Sequence, residues 1–220
     1  MRAAILENAQ VWQPGWVVDL PTAVDEAITF LRRDEALEKI TSGIVDLDTC
    51  LGGGLAPGDL TFIYGRTSHG KSTLALSILV NALMHGTPCL SLSGEYIEPY
   101  HVRLVAGQRI GRHGFTVRAD ELAERRSMLD SLPLRIVRSG RQFSFEETAN
   151  TLKWASAEGV RLAVFDPIDW LVPRNPKSQS RYSDIAAYVL ALVDVVKALD
   201  LHLIVVFPVN KGGSMAGEES

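Results

Sequence analysis

Leu60-Thr-Phe-Ile-Tyr-Gly65-Arg-Thr-Ser-His-Gly-Lys-Ser72-Thr-Leu-Ala-Leu76 decides the reading of this chain. An apolar run, 60–64, enters a glycine-bounded loop, and a helical pattern rich in Leu, Ala and Ile leaves it over 71–85. The loop satisfies G-x-x-x-x-G-K-[ST] at every fixed position. Glycines there let backbone N–H groups close around phosphate oxygens, and the following helix adds its positive pole. The pattern implies a nucleoside triphosphate, ATP, bound with Mg²⁺. Gly65, Arg66, Thr67, Ser68, His69, Gly70, Lys71, Ser72 and Thr73 are the nucleotide-binding candidates. Lys71 is expected to reach the β- and γ-phosphates, and Ser72 to offer its hydroxyl to the metal. His69 holds a variable position of the motif and reads as a spacer rather than a catalytic base.

Outward from the loop, short apolar runs alternate with helical patterns. The runs are 60–64, 88–92, 134–137, 161–165 and 201–207; the helical patterns are 71–85, 100–111, 120–132, 144–159 and 182–199. Ser144 followed by Glu147 is a capping-box signal, and Gly159 stands where that helix would stop. Strands that are apolar throughout, alternating with helices, imply a mostly parallel sheet covered by helices on both faces. The fold class is therefore α/β. A further helix is expected over about 22–40, with Thr22 and Asp25 as its cap. Val24, Ala27, Ile28 and Leu31 recur at helical spacing in it. Its other surface is charged, so it is a solvated helix with one apolar stripe, free to pack on its own core or on a neighbouring subunit.

Phosphoryl transfer needs a carboxylate for the metal and a group that orients the attacking water. In a parallel sheet both belong at the C-terminal ends of strands near the loop. Arg161-Leu-Ala-Val-Phe165 runs into Asp166, the metal candidate. Leu90-Ser-Leu-Ser-Gly94 runs into Glu95, the candidate to polarise water.

With these residues the chain resembles the ATPase domain of DnaB-like hexameric replicative helicases, within the RecA-like P-loop superfamily. The likeness covers about 40–212. It rests on the approach Ile40-Thr-Ser-Gly-Ile-Val-Asp-Leu-Asp48 and Gly52-Gly-Gly-Leu-Ala-Pro-Gly-Asp-Leu60, on the phosphate loop, on Ser91-Leu-Ser-Gly-Glu95 and on Phe165-Asp-Pro-Ile-Asp-Trp-Leu171. Asp166-Pro167 and Phe207-Pro208 lean towards the phage and mitochondrial primase–helicase branch. The resemblance implies that Lys71 and Glu95 are catalytic, that Ser72 and Asp166 hold Mg²⁺, and that the protein forms a ring, a hexamer, on single-stranded DNA. It implies an N-terminal arm and linker helix over 1–40 and a RecA-like ATPase domain over 41–220. The C-terminal part of the family domain is expected to be missing, with the basic finger it supplies. Where the family has Gln or His as a polar sensor, this chain has Phe207 and Pro208.

Pro173-Arg-Asn-Pro-Lys-Ser-Gln-Ser-Arg181 is a polar loop with three bases and no acid. Arg174, Lys177 and Arg181, with Lys211 further on, are candidates to contact DNA phosphates. The net charge of -4 over 220 residues offers no global attraction to nucleic acid or anionic lipid. Any such binding must be local. Two cysteines, Cys50 and Cys89, suit neither a disulfide framework nor a metal site. The N-terminus has no continuous apolar stretch of membrane-span or signal length. A cytoplasmic setting is expected, in the cell itself or, for a phage-encoded protein, in its host.

Overall fold

A computed structural model describes residues 17–94, 97–138, 142–172 and 180–209. The chain divides into two compact units, the first ending at Leu37 and the second beginning at Glu38.

In the first unit, helix α1 spans Leu20–Glu35. Asp19, not Thr22, is its cap: the Asp19 carboxylate accepts the Thr22 N–H at 2.9 Å. Pro21 explains the difference. It lacks an N–H, and the first turn is where a missing N–H costs nothing. The helix starts before the proline and stops five residues short of Ile40, which has another use.

In the second unit, Ile40 pairs with Leu55 in an antiparallel bridge. The loop it closes contains α2, Val45–Cys50. Asp48 secures this loop, accepting from Thr41 Oγ1 at 2.6 Å and from the Ser42 N–H at 2.9 Å. Burial works against its charge, but the hydrogen bonds from Ser42, Thr41 and Gly43 outweigh it and hold the carboxyl below the ordinary aspartate value.

The remaining elements follow in chain order: β1 Leu60–Arg66, α3 Lys71–Met84, β2 Cys89–Ser93, α4 Glu98–Arg109 and a 3-10 turn at Gly114–Thr116. After these come α5 Ala119–Glu124, α6 Arg126–Asp130, β3 Leu134–Val137, α7 Phe145–Ala157, β4 Leu162–Asp166, α8 Ile168–Leu171, α9 Arg181–Lys197 and β5 His202–Val209. The single helix expected over 120–132 is two short ones, broken at Arg125 (φ -100°, ψ 11°). The Arg125 guanidinium donates to the Glu121 carbonyl there.

The five strands form one sheet in the order β1-β5-β4-β2-β3, every pair parallel. Alternate residues of β5 feed opposite faces. Leu203, Val205 and Phe207 join Leu90, Leu92, Ala163 and Phe165 in a core with residues of α7, α8 and α9. Ile204 and Val206 join Leu162 and Val164 in a second core with Ile78, Leu79 and Val105 of α3 and α4. Burial on both faces is why β4 and β5 read as unbroken apolar runs over 162–165 and 203–207. β5 continues past its last pair with β4, Phe165↔Val205, and only β1 accompanies it at Gly65↔Pro208. Pro208 thus sits where no β4 carbonyl awaits an N–H.

Candidate functional site

β1 delivers Gly65 and Arg66 at the C-terminal end of the sheet, and Gly70 opens α3 in the left-handed conformation (φ 78°). Glycine takes that conformation without the steric penalty a Cβ imposes. Ser68 adopts it too (φ 63°), as few non-glycine residues do. Lys71 Nζ donates to the Arg66 carbonyl at 2.9 Å, folding its ammonium across the mouth of the loop. His69 Nδ1–H donates to the Thr67 carbonyl at 3.0 Å, so its ring is spent on the loop itself.

The start of α3 differs from those of α1 and α7. Asp19 caps α1, and Ser144 with Glu147 forms a full capping box on α7. α3 has no side-chain cap and no acid in its first turn. Its leading N–H groups lack intrahelical partners, as at any helix start, and no side chain caps them. An anion is what completes such an end.

β4 ends at Asp166, level with Ser93 of β2. Ser72 Oγ donates to Asp166 Oδ1 at 3.1 Å across 94 residues of sequence. A hydroxyl and a carboxylate oxygen in contact, beside an ammonium and a set of N–H donors, are the hard ligands Mg²⁺ takes alongside phosphate. Among the described residues no cluster of three or more His, Cys, Asp or Glu forms a metal cage. Mg²⁺ with a nucleotide needs none, since phosphate and water fill most of its positions.

The Gly94 N–H donates to the Asp166 carbonyl at 2.9 Å, tying the ends of β2 and β4 together. Glu95 follows directly but lies outside the described residues, as do Arg174, Lys177 and Lys211. Arg181 is the first residue of α9. At the end of β5, Phe207 is 5% exposed and its ring lies 5.5 Å from that of Phe62. It belongs to the core on the α9 side, so position 207 presents no hydrogen-bonding group to the loop.

Sequence reading passed over two buried histidines. His202 Nδ1 lies 2.8 Å from the Ala56 carbonyl, which can only accept, so Nδ1 carries the proton. Nε2 then accepts from Thr61 Oγ1 at 2.9 Å. His101, one turn into α4, has neither ring nitrogen hydrogen-bonded. Burial lowers the pKa of both below 6.5. The folded chain therefore binds fewer protons than the unfolded chain once pH falls below that value, and stability is lost as pH falls further through the folded pKa values. The urea midpoint is expected to drop between pH 7.5 and 5.5. His101→Leu should shrink that drop and, by removing orphaned polar atoms, raise stability by about 1–3 kcal/mol at neutral pH. An equal drop in the variant would show that His101 titrates normally.

Comparison with known proteins adds relatives to this geometry. A family model described as an AAA domain matches residues 31–214. The replicative DNA helicase DnaB of Leifsonia xyli subsp. xyli is 25% identical over 199 residues, 86% of this chain and 43% of that protein. The DNA repair protein RadA of Mycobacterium tuberculosis is 30% identical over 188 residues, 81% of this chain and 33% of the relative. The chain thus spans less than half of either. Among solved structures, a DnaB-like replicative helicase studied with primase superposes at TM-score 0.67 with 18% identity, over 93% of this chain and 51% of the other. A separately solved ATPase domain superposes at 0.68 with 20% identity, over 86% of this chain and 72% of the other. The fold is RecA-like, of the DnaB-like kind. No described helix is long and apolar enough to cross a membrane.

Proposed function

Because the chain belongs to the AAA domain family matched over residues 31–214, we propose that it is the ATPase part of a DnaB-type DNA helicase. In this reading it hydrolyses ATP to translocate on single-stranded DNA during replication, as a cytoplasmic ring of six subunits. The contact of Ser72 with Asp166 beside the uncapped start of α3 carries the proposal.

Each residue has a task. The N–H groups of 65–73 cradle the phosphates, and Lys71 turns from the Arg66 carbonyl to the β/γ oxygens. Ser72 and Asp166 hold Mg²⁺, which when bound neutralises charge on the phosphates. Glu95 accepts a hydrogen bond from the attacking water and aligns it. Arg174, Lys177, Arg181 and Lys211 contact DNA phosphates. A ring follows from a subunit that uses unlike faces towards its two neighbours, a heterologous contact that closes by rotation.

Single-stranded DNA should stimulate ATP hydrolysis, and Glu95→Gln should abolish turnover while sparing ATP binding. Undetectable hydrolysis with and without DNA would end the motor reading. Joint neutralisation of Arg174, Lys177 and Arg181 should weaken DNA binding and flatten its salt dependence; unchanged affinity across a salt series removes that loop from the site.

The burial of Phe207 favours a second reading, in which the domain serves as an ATP-dependent switch or loader that does not unwind DNA, or as a nucleotide-binding assembly module with little turnover. DNA-stimulated hydrolysis without strand displacement would select the switch or loader. Nucleotide-dependent assembly with little hydrolysis would select the module.

A further inference from the structure

All five residues of β2 are buried, yet two of them, Ser91 and Ser93, are polar. Alternation along the strand sends Leu90 and Leu92 to the core under α7, α8 and α9, and Cys89 to the core under α3 and α4. Ser91 and Ser93 continue the Cys89 series, so they face α3 and α4. Ser91 is 2% exposed and Ser93 5%. A buried hydroxyl is costly unless it hydrogen-bonds, so each needs a partner on that face.

Their neighbours across the ladder differ. Ser91 is level with Val164, whose side chain is apolar, and Ser93 is level with Asp166. Asp166 follows Leu162 and Val164 in the β4 series that faces α3, and its contact with Ser72 of α3 lies on that side. Parallel strands run about 4.8 Å apart, so level side chains on one face are within reach of a hydrogen bond. On its other flank β4 pairs with β5 only as far as Phe165↔Val205, and the next β5 residue is buried, apolar Val206. Of the two strands beside Asp166, β2 alone carries a side-chain hydroxyl. The Gly94 N–H, bonded to the Asp166 carbonyl at 2.9 Å, holds the two strand ends at that spacing.

We propose that Ser93 is a positioning residue for the metal-holding carboxylate: its hydroxyl donates to Asp166 and fixes how that carboxylate faces Mg²⁺. The inference rests on the proposed Mg²⁺-nucleotide site and adds a residue to it. A carboxylate held by Ser72 alone still turns about its Cβ–Cγ bond. A donor from a second strand removes that freedom, and the bond is strengthened by the charge on its acceptor. Outer partners of this kind typically carry about 10–100-fold of a site's metal affinity. Ser93 itself touches neither phosphate nor metal in this arrangement. Ser91 stands on the same strand and face without a carboxylate beside it, and is the control.

The affinity of a fluorescent, non-hydrolysable ATP analogue for the full chain, measured in excess Mg²⁺ and again in EDTA, tests this. The ratio of the two affinities is the metal's contribution and needs no turnover. Ser93→Ala should shrink that ratio about tenfold. Its affinity in EDTA and its urea midpoint should stay close to wild type, and Ser91→Ala should leave the ratio unchanged. Ser93→Thr keeps the hydroxyl and should recover most of the ratio; a folded Thr variant no better than Ala would overturn the donor role. A ratio unchanged in Ser93→Ala but lost in Asp166→Ala would overturn the role of Ser93 and leave the metal site intact. Equal losses in Ser91→Ala and Ser93→Ala would overturn it too, by making both serines part of the packing of the sheet. A wild-type chain with the same affinity in Mg²⁺ and EDTA would overturn the metal site itself, and the role of Ser93 with it.

Discussion

Asp166→Ala is expected to lower Mg²⁺-dependent ATP hydrolysis by about 10²–10³-fold, the usual cost of losing one group that stabilises developing charge. The fold should survive. Asp166 is the last residue of β4, only partly buried, and its carbonyl still receives the Gly94 N–H in the variant. Ser72→Ala should fall into the same range, since its hydroxyl meets the same carboxylate at 3.1 Å. The informative result is the double variant. Two groups that act through one ion are non-additive, so Ser72→Ala/Asp166→Ala should be within a few-fold of the worse single change. Nucleotide binding measured in EDTA should hardly move in any of the three, because the loop amides and Lys71 remain. Multiplicative losses in the double variant would mean that the two residues serve different tasks. A large loss of binding in EDTA would mean that Asp166 shapes the loop.

The loop was legible because its chemistry is local. Phosphate binding demands glycine at fixed spacing, a lysine and a hydroxyl within a few residues, and Gly70 takes the positive φ such spacing anticipates. The strands were legible because burial on both faces leaves no polar residue to interrupt 162–165 or 203–207. Strand order was not, since the insertion of β5 between β1 and β4 is a matter of long-range pairing. The same holds for the meeting of Ser72 with Asp166, expected from chemistry but fixed only by the register Ser93↔Asp166 and the neighbouring position of β5. Helix ends misled where one residue changes the local balance. Pro21 moved the start of α1 to Asp19, and the Arg125 backbone divided 119–130 in two. The close approach of α4 to the 3-10 turn left almost no trace in the pattern, because Gly107 meets Gly114 there, a contact between backbones rather than a periodicity.

The largest stability effect is expected one residue from Asp166, the proposed metal-holding carboxylate. Phe165 is 1% exposed and among the largest fully buried side chains. It lies between Leu92 of β2 and Val205 of β5 in register, in the core that α7, α8 and α9 help to form. Phe165→Ala removes a ring from a site whose strand neighbours are fixed by ladder bonds on both sides, so little collapse can refill it. The cost should be about 3–5 kcal/mol. That is a large share of the roughly 5–15 kcal/mol by which a domain is stable, so much of the chain would be unfolded at physiological temperature. Tyr64→Ala is the contrast on the same sheet. Tyr64 is 75% exposed at the outer strand β1, and its loss should change the urea midpoint little. Phe165→Leu, which keeps most of the volume, should recover more than half of the loss and with it the hydrolysis rate per folded molecule. If Phe165→Leu restored stability but not that rate, Phe165 would be a positioning residue for Asp166, and the boundary between core and site would fall one residue earlier in β4.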